Sequence, residues 1–108
     1  MAIHFNDNNW EELVVESQIP VFVDFWAEWC GPCINLIGPM FEQLSPLYEG
    51  KVKMGKLNVD ENPAVATRYG VRNLPTVLVF KDGLVVDKIV GAFPQSQMVQ
   101  KIHQQIQS

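Results

Sequence analysis

The sequence predicts a single α/β domain, with one mixed sheet and helices packed against it. Three observations carry that expectation. The apolar run Val21 to Trp26 is followed by a helical stretch and then by a second strand-like run, Val52 to Val59, the outline of a right-handed parallel crossover. Asp82-Gly83 lies between two β-rich runs, Thr76 to Phe80 and Leu84 to Val90, a strong signal for an antiparallel hairpin. The final stretch, opened by Pro94, repeats apolar residues at Met98, Val99, Ile102 and Ile106, the spacing of a helix with one buried face. At 108 residues the chain suits one domain over 1–108. Its 47% of hydrophobic residues suffices for a core and argues against disorder.

The other elements follow from local chemistry. Ile3 to Phe5 reads as a short first strand. Asn6 to Asn9 offer capping side chains before Trp10-Glu11-Glu12-Leu13-Val14, a helix with acids in its first turn. Val21 to Trp26 is apolar on both faces except at Asp24, as expected of a central strand covered on both sides. The helix after Cys33 has apolar residues at Ile34, Ile37, Phe41 and Leu44, and Pro39 inside it should kink it. Asn62-Pro63 opens a short helix that runs to about Tyr69 and stops at Gly70.

Charge and composition narrow the function. A formal net charge of -4 with scattered basic residues argues against nucleic acid as a partner, since phosphate binding needs a basic face. The longest apolar stretch is too short to span a bilayer and is broken by Asp24, so no membrane association is expected. The N-terminal residues Met1 to Asp7 lack the basic start and apolar core of a secretory signal. The expected location is therefore cytoplasmic, where thiols are kept reduced and two cysteines are better suited to chemistry than to stapling. His4 and His103 are expected at the surface, and Asp60-Glu61 in a solvated loop.

Cys30 and Cys33 are the only cysteines, three apart at a strand-to-helix junction. In a first helical turn that spacing gives about 5–6 Å, which fits a disulfide and also a dithiol. The ring they would close is too small to stabilise much of the fold. Unpaired N–H groups at the helix start would favour a thiolate at Cys30. Cys33, one turn in, would be kept a thiol by burial. Pro32 suits a first turn because it has no N–H to leave unpaired. Other readings stay open at this point: a zinc site, which would need His4 and His103 as further ligands, a buried pair of free cysteines, or an inert staple.

Ala27-Glu28-Trp29-Cys30-Gly31-Pro32-Cys33, then Pro39, Leu74-Pro75-Thr76 and Gly91, with Asp24 and Lys56, resemble the thioredoxin family. The resemblance spans essentially the whole chain. It implies the thioredoxin fold, a central mixed five-stranded sheet in the order first, third, second, fourth, fifth, with helices on both faces. It implies a protein-disulfide reductase that works through a mixed disulfide, with Cys30 as nucleophile and Cys33 resolving. No bound cofactor is implied beyond the redox-active cysteine pair. NADPH and FAD would belong to a thioredoxin reductase that restores the dithiol. The implied partners are that reductase and oxidised protein substrates, the chain acting as a monomer.

The same resemblance assigns the remaining site. Asp24 would move the proton of Cys33, through a water, with Lys56 as its partner. A purely structural ion pair between Asp24 and Lys56 is the alternative. Pro75 would follow a cis bond and turn the Leu74 backbone outward toward an extended substrate segment. Trp29 would form a flat apolar wall, and Gly91 would let a partner backbone come close. Gly31 and Pro32 would tune the dithiol and complete an uncharged patch around Cys30. Two positions depart from the family pattern: Ile34, where Lys or Arg is common, and Asn73, where Gly is common. They put the thiol acidity of Cys30 and partner choice in question. An oxidant or isomerase, and a binding module without redox turnover, are the competing functions.

Overall fold

The structure is a computed structural model that describes residues 2–107; Met1 and Ser108 lie outside the described residues. Five strands form one sheet among them: β1 (Ile3–Phe5), β2 (Val21–Trp26), β3 (Lys53–Asn58), β4 (Thr76–Lys81) and β5 (Leu84–Val90). Their order is β1-β3-β2-β4-β5, as the resemblance implied. β1 and β2 run parallel to β3, while β4 pairs antiparallel with both β2 and β5. The hairpin falls where Asp82-Gly83 places it. Both residues have positive φ, 53° and 78°, as a two-residue primed turn requires.

Alternation along β2 sends side chains to two cores. Phe22 faces one layer with Ile37, Phe41, Leu44, Met54, Val77, Val79, Met98 and Ile102. Val21, Val23 and Phe25 face the other with Phe5, Trp10, Val14, Leu57, Val65 and Phe80. The first layer is closed by α1 (Gly38–Leu44) and α3 (Gln95–Gln107), the second by the Trp10–Val14 segment and α2 (Pro63–Arg68). The strand with the most continuous apolar sequence is thus the one buried on both sides. No helix among the described residues is long and apolar enough to cross a membrane.

Three local details differ from the sequence expectation. Residues Glu11–Val15 are π-helical, with the Glu16 N–H donating to the Glu11 carbonyl at 2.9 Å. After the cysteines the helix is also π-wound over Cys33–Ile37 and becomes α-helical only at Gly38. Pro39 explains this second widening. It has no N–H for the Asn35 carbonyl, and its ring would press on that carbonyl in a regular α-turn. The chain instead closes a wider turn, in which the Gly38 N–H donates to the Cys33 carbonyl. The expected kink is thus a π-turn. Finally, Ile34, assigned to the buried face, is 47% exposed, while Cys33 and Ile37 on either side of it are buried.

β3 is tightly covered by β1. A Cβ added at Gly55 would lie 2.3 Å from Cε2 of Phe5 and 2.8 Å from the Ile3 carbonyl oxygen. The second contact is backbone, so it cannot be relieved by a side-chain rotation. Gly55→Ala is therefore expected to destabilise the protein by about 1–3 kcal/mol, read as a lower urea midpoint with an unchanged slope.

Candidate active site

β2 delivers the site. Its chain leaves the sheet at Trp26, passes Ala27, Glu28 and Trp29, and turns into a helix at Gly31, with Cys30 at the junction. The Cys30 N–H donates to the Ala27 carbonyl at 3.1 Å, and the Ile34 N–H donates to the Cys30 carbonyl at 3.2 Å. Pro32 has φ −62° and ψ −28°, helical values that its ring favours. Cys30 and Cys33 are joined by a disulfide, with Cα atoms 5.3 Å apart.

The two sulfurs differ in surroundings. Cys30 retains 5% exposure at the rim, flanked by exposed Trp29, Gly31 and Pro32, whereas Cys33 retains 1%. The Cys33 N–H donates to Sγ of Cys30 at 3.2 Å. This is one of the helix-start N–H groups with no intrahelical carbonyl to bond. It aims partial positive charge at Cys30, the direction that stabilises a thiolate there once the disulfide opens. Among the described residues no group of three or more His, Cys, Asp or Glu is arranged to hold a metal ion. His4 lies on β1 and His103 on α3, where Nε2 of His103 hydrogen-bonds the Tyr48 hydroxyl at 3.1 Å.

Behind Cys33 lies a cavity of about 340 Å³, bordered by Cys33, Asp24, Lys56 and Glu42 together with Ile34 and Gly38. Asp24 is fully buried, and neither carboxylate oxygen receives a hydrogen bond from the protein. Burial drives its pKa up to about 7, against an opposing pull from the positive charge of Lys56. Asp24 and Lys56 are register partners on β2 and β3. The expected partnership is nonetheless one of field and not of contact. The Lys56 ammonium sits 3.2 Å from Oε2 of Glu42 on α1. Glu42 was not singled out from the sequence, because on a helix surface it looks like any solvated acid.

The other residues singled out from the sequence lie in three loops. Trp29 is 69% exposed, and its indole N–H donates to Oδ2 of Asp60 at 3.0 Å. The expected solvated loop at Asp60 therefore contributes the anchor that fixes the indole. Leu74–Pro75 is a cis peptide bond. The Gly91 N–H, at φ +89°, donates to the Pro75 carbonyl at 2.9 Å, which ties β5's exit to the proline loop. Asn73 is exposed, and its carbonyl accepts the Thr76 hydroxyl.

Asp24 has a stability consequence with a fixed sign. Its folded pKa is raised above the unfolded value of 3.8. Any stabilisation from its proton is thus complete below pH 3.8 and lost as pH rises toward 7. Asp24→Asn, which mimics the neutral acid, is expected to raise the stability of the disulfide form by about 4 kcal/mol at pH 8. The gain should disappear near pH 4 in urea denaturation at both pH values.

Comparison with known proteins agrees with this geometry. The thioredoxin family model matches residues 1–104. The chain is 50% identical over 101 residues to a chloroplastic M-type thioredoxin of Pisum sativum, covering 94% of this chain and 58% of that one. It is 48% identical over 105 residues to a thioredoxin of Haemophilus influenzae, covering 97% of each. It is 50% identical over 100 residues to a thioredoxin of Chlorobaculum thiosulfatiphilum, covering 93% and 92%. The chain spans 58% and 53% of the chloroplastic relatives from Pisum sativum and Spinacia oleracea. With a family match over residues 1–104 and a cysteine pair bonded at the start of a helix beside a buried acid, the chain belongs to the thioredoxin family.

Proposed function

We propose that the protein is a general protein-disulfide reductase in which Cys30 attacks, Cys33 resolves and Asp24 handles the proton of Cys33. The observation that carries this reading is the asymmetry of the pair. One sulfur lies at the rim under a helix-start N–H, and the other is enclosed beside an unpartnered carboxyl group.

The chemistry runs in two exchanges. The Cys30 thiolate attacks one sulfur of a substrate disulfide; that bond breaks, a mixed disulfide forms, and the first substrate thiolate leaves. Cys33 gives its proton to Asp24, by way of a water in the cavity that both border, and attacks Sγ of Cys30. The second substrate thiolate leaves and takes up a proton, and the Cys30–Cys33 disulfide remains. Two electrons have passed to the substrate. Rates follow the thiolate fraction, the acidity of the leaving thiol and access. A carboxyl group titrating near 7 suits a base that must take a proton and return it near neutral pH.

Trp29, Leu74, Pro75 and Gly91 surround Cys30 as the substrate surface, with the Leu74 backbone pairing with an extended segment of the substrate. Gly31 and Pro32 set the stiffness of the spacer. Exposed Ile34 extends the apolar rim where a cation is common in the family. Regeneration by an NADPH-dependent thioredoxin reductase closes the cycle, and we place the protein in the cytoplasm as a monomer.

Reduction of insulin disulfides with NADPH and a thioredoxin reductase tests the activity; no turnover would overturn it. Cys33→Ser is expected to accumulate a stable mixed disulfide with substrate through Cys30. Asp24→Asn is expected to slow release from the mixed disulfide by about 10- to 100-fold at pH 7, with attack by Cys30 less affected in stopped-flow fluorescence. Equal slowing of both steps would remove Asp24 from the resolving role.

A further inference from the structure

The polar end of the cavity holds a charge arrangement that the two-exchange scheme does not use. His4, Lys56 and Asp24 are register partners across β1, β3 and β2. Parallel strands in register point such residues to one face, the face that α1 covers. Helix α1 approaches Lys56 with two positions one turn apart, Gly38 and Glu42. A Cβ at Gly38 would stand 3.5 Å from the Lys56 ammonium, an ordinary van der Waals distance, so the ammonium lies against this part of α1. Glu42 then receives it at 3.2 Å.

Glu42 is itself held. Its other oxygen, Oε1, accepts the Ala2 N–H at 2.9 Å. Its carboxyl is kept below the usual range, first by that backbone hydrogen bond and further by Lys56. The Glu42 carboxylate is therefore a fixed anion between the chain start and α1. Asp24, on the strand next to Lys56, receives no hydrogen bond from the protein. The ammonium thus has two acids within its field and makes contact with one.

We propose that Glu42 is the positioning residue that holds the Lys56 ammonium off Asp24 and so sets how readily Asp24 takes the proton of Cys33. The pair adds little to stability, because the Glu42 side chain is 38% exposed and exposed ion pairs contribute little. Its effect falls on the carboxyl group beyond it. With Glu42 present, Lys56 acts on Asp24 from a distance and the acid stays basic. Without that anion the ammonium is free to close on Asp24, whose carboxylate it would stabilise. The other groups facing Asp24 do not supply this control. Cys33 is the proton donor, exposed His4 lies beyond Lys56 on β1, and the β4 register partner, Val77, is apolar. The functional half of this inference rests on the proton-transfer role proposed for Asp24; the electrostatic half does not.

The test is a double-mutant cycle read by carbon NMR titration of the Asp24 carboxyl group in the disulfide form. Glu42→Gln retains an oxygen for the Ala2 N–H, so the fold is preserved. Its Asp24 midpoint is expected to fall by about one pH unit. Lys56→Met is expected to raise the midpoint. Adding Glu42→Gln to Lys56→Met is expected to move it no further, because the effect passes through the ammonium. An unchanged midpoint in Glu42→Gln, or an equal fall with Lys56 absent, overturns the proposal. In the same variants, the pH profile for substrate release from Cys30 should shift down with the Asp24 midpoint. If the NMR midpoint moves and the release profile stays, Glu42 keeps its positioning role and Asp24 loses its catalytic one.

Discussion

Strand β2 is hydrogen-bonded along both edges, to β3 and β4, and covered on both faces. That double burial fixes the end of the strand, and with it the turn that carries Cys30. A helix start is useful for sulfur chemistry only when it is held still at a rim, where its free N–H groups meet a partner and not bulk water. Here the Cys33 N–H meets the Cys30 sulfur. The same strand carries Asp24, so the buried acid and the turn that bears the cysteine pair are both held by one rigid element.

This arrangement sets stability against chemistry. An ionised carboxyl group buried in the core, with no hydrogen bond from the protein, is costly, and burial raises the pKa of Asp24 accordingly. A full ion pair with Lys56 would relieve the strain and also weaken the base. With the ammonium in contact with Glu42, the acid is left partly unrelieved, the state that the proton-carrying role proposed for Asp24 requires. The cavity beside Cys33 has a similar logic. Better packing there would stabilise the core and close the path between the two groups.

Much of this was legible along the chain. The hairpin at Asp82-Gly83 follows from local rules, and so does the face of α3 that buries Met98 and Ile102, although Ile106, expected on that face near the end of the helix, is 37% exposed. The cysteine spacing allowed the bond that forms, while the strand order and the cis bond before Pro75 came from family resemblance. What the sequence did not show has two causes, a local rewinding of a helix and contacts between distant segments. Ile34 fitted an apolar helix stripe, but the π-turn ahead of Pro39 rewinds the helix and leaves it outside. Asp60 lies in the exposed turn expected of it, and the sequence did not show that the fold also brings it to the Trp29 indole, 31 residues away in sequence. Glu42 carried no pattern at all, since its partners Lys56 and Ala2 come from two other segments.

The sequence by itself determined the elements, the central position of β2 and the presence of a reactive cysteine pair at a helix start. These depend on periodicity, turn chemistry and spacing over a few residues, which are encoded where they act. Only the tertiary structure decided which acid holds Lys56, how far Asp24 is left unrelieved, and what pins the indole beside Cys30. Those outcomes depend on distances between side chains from different strands and helices. Charge and hydrogen bonding fall off over a few ångströms, so packing, and not adjacency in the chain, sets them.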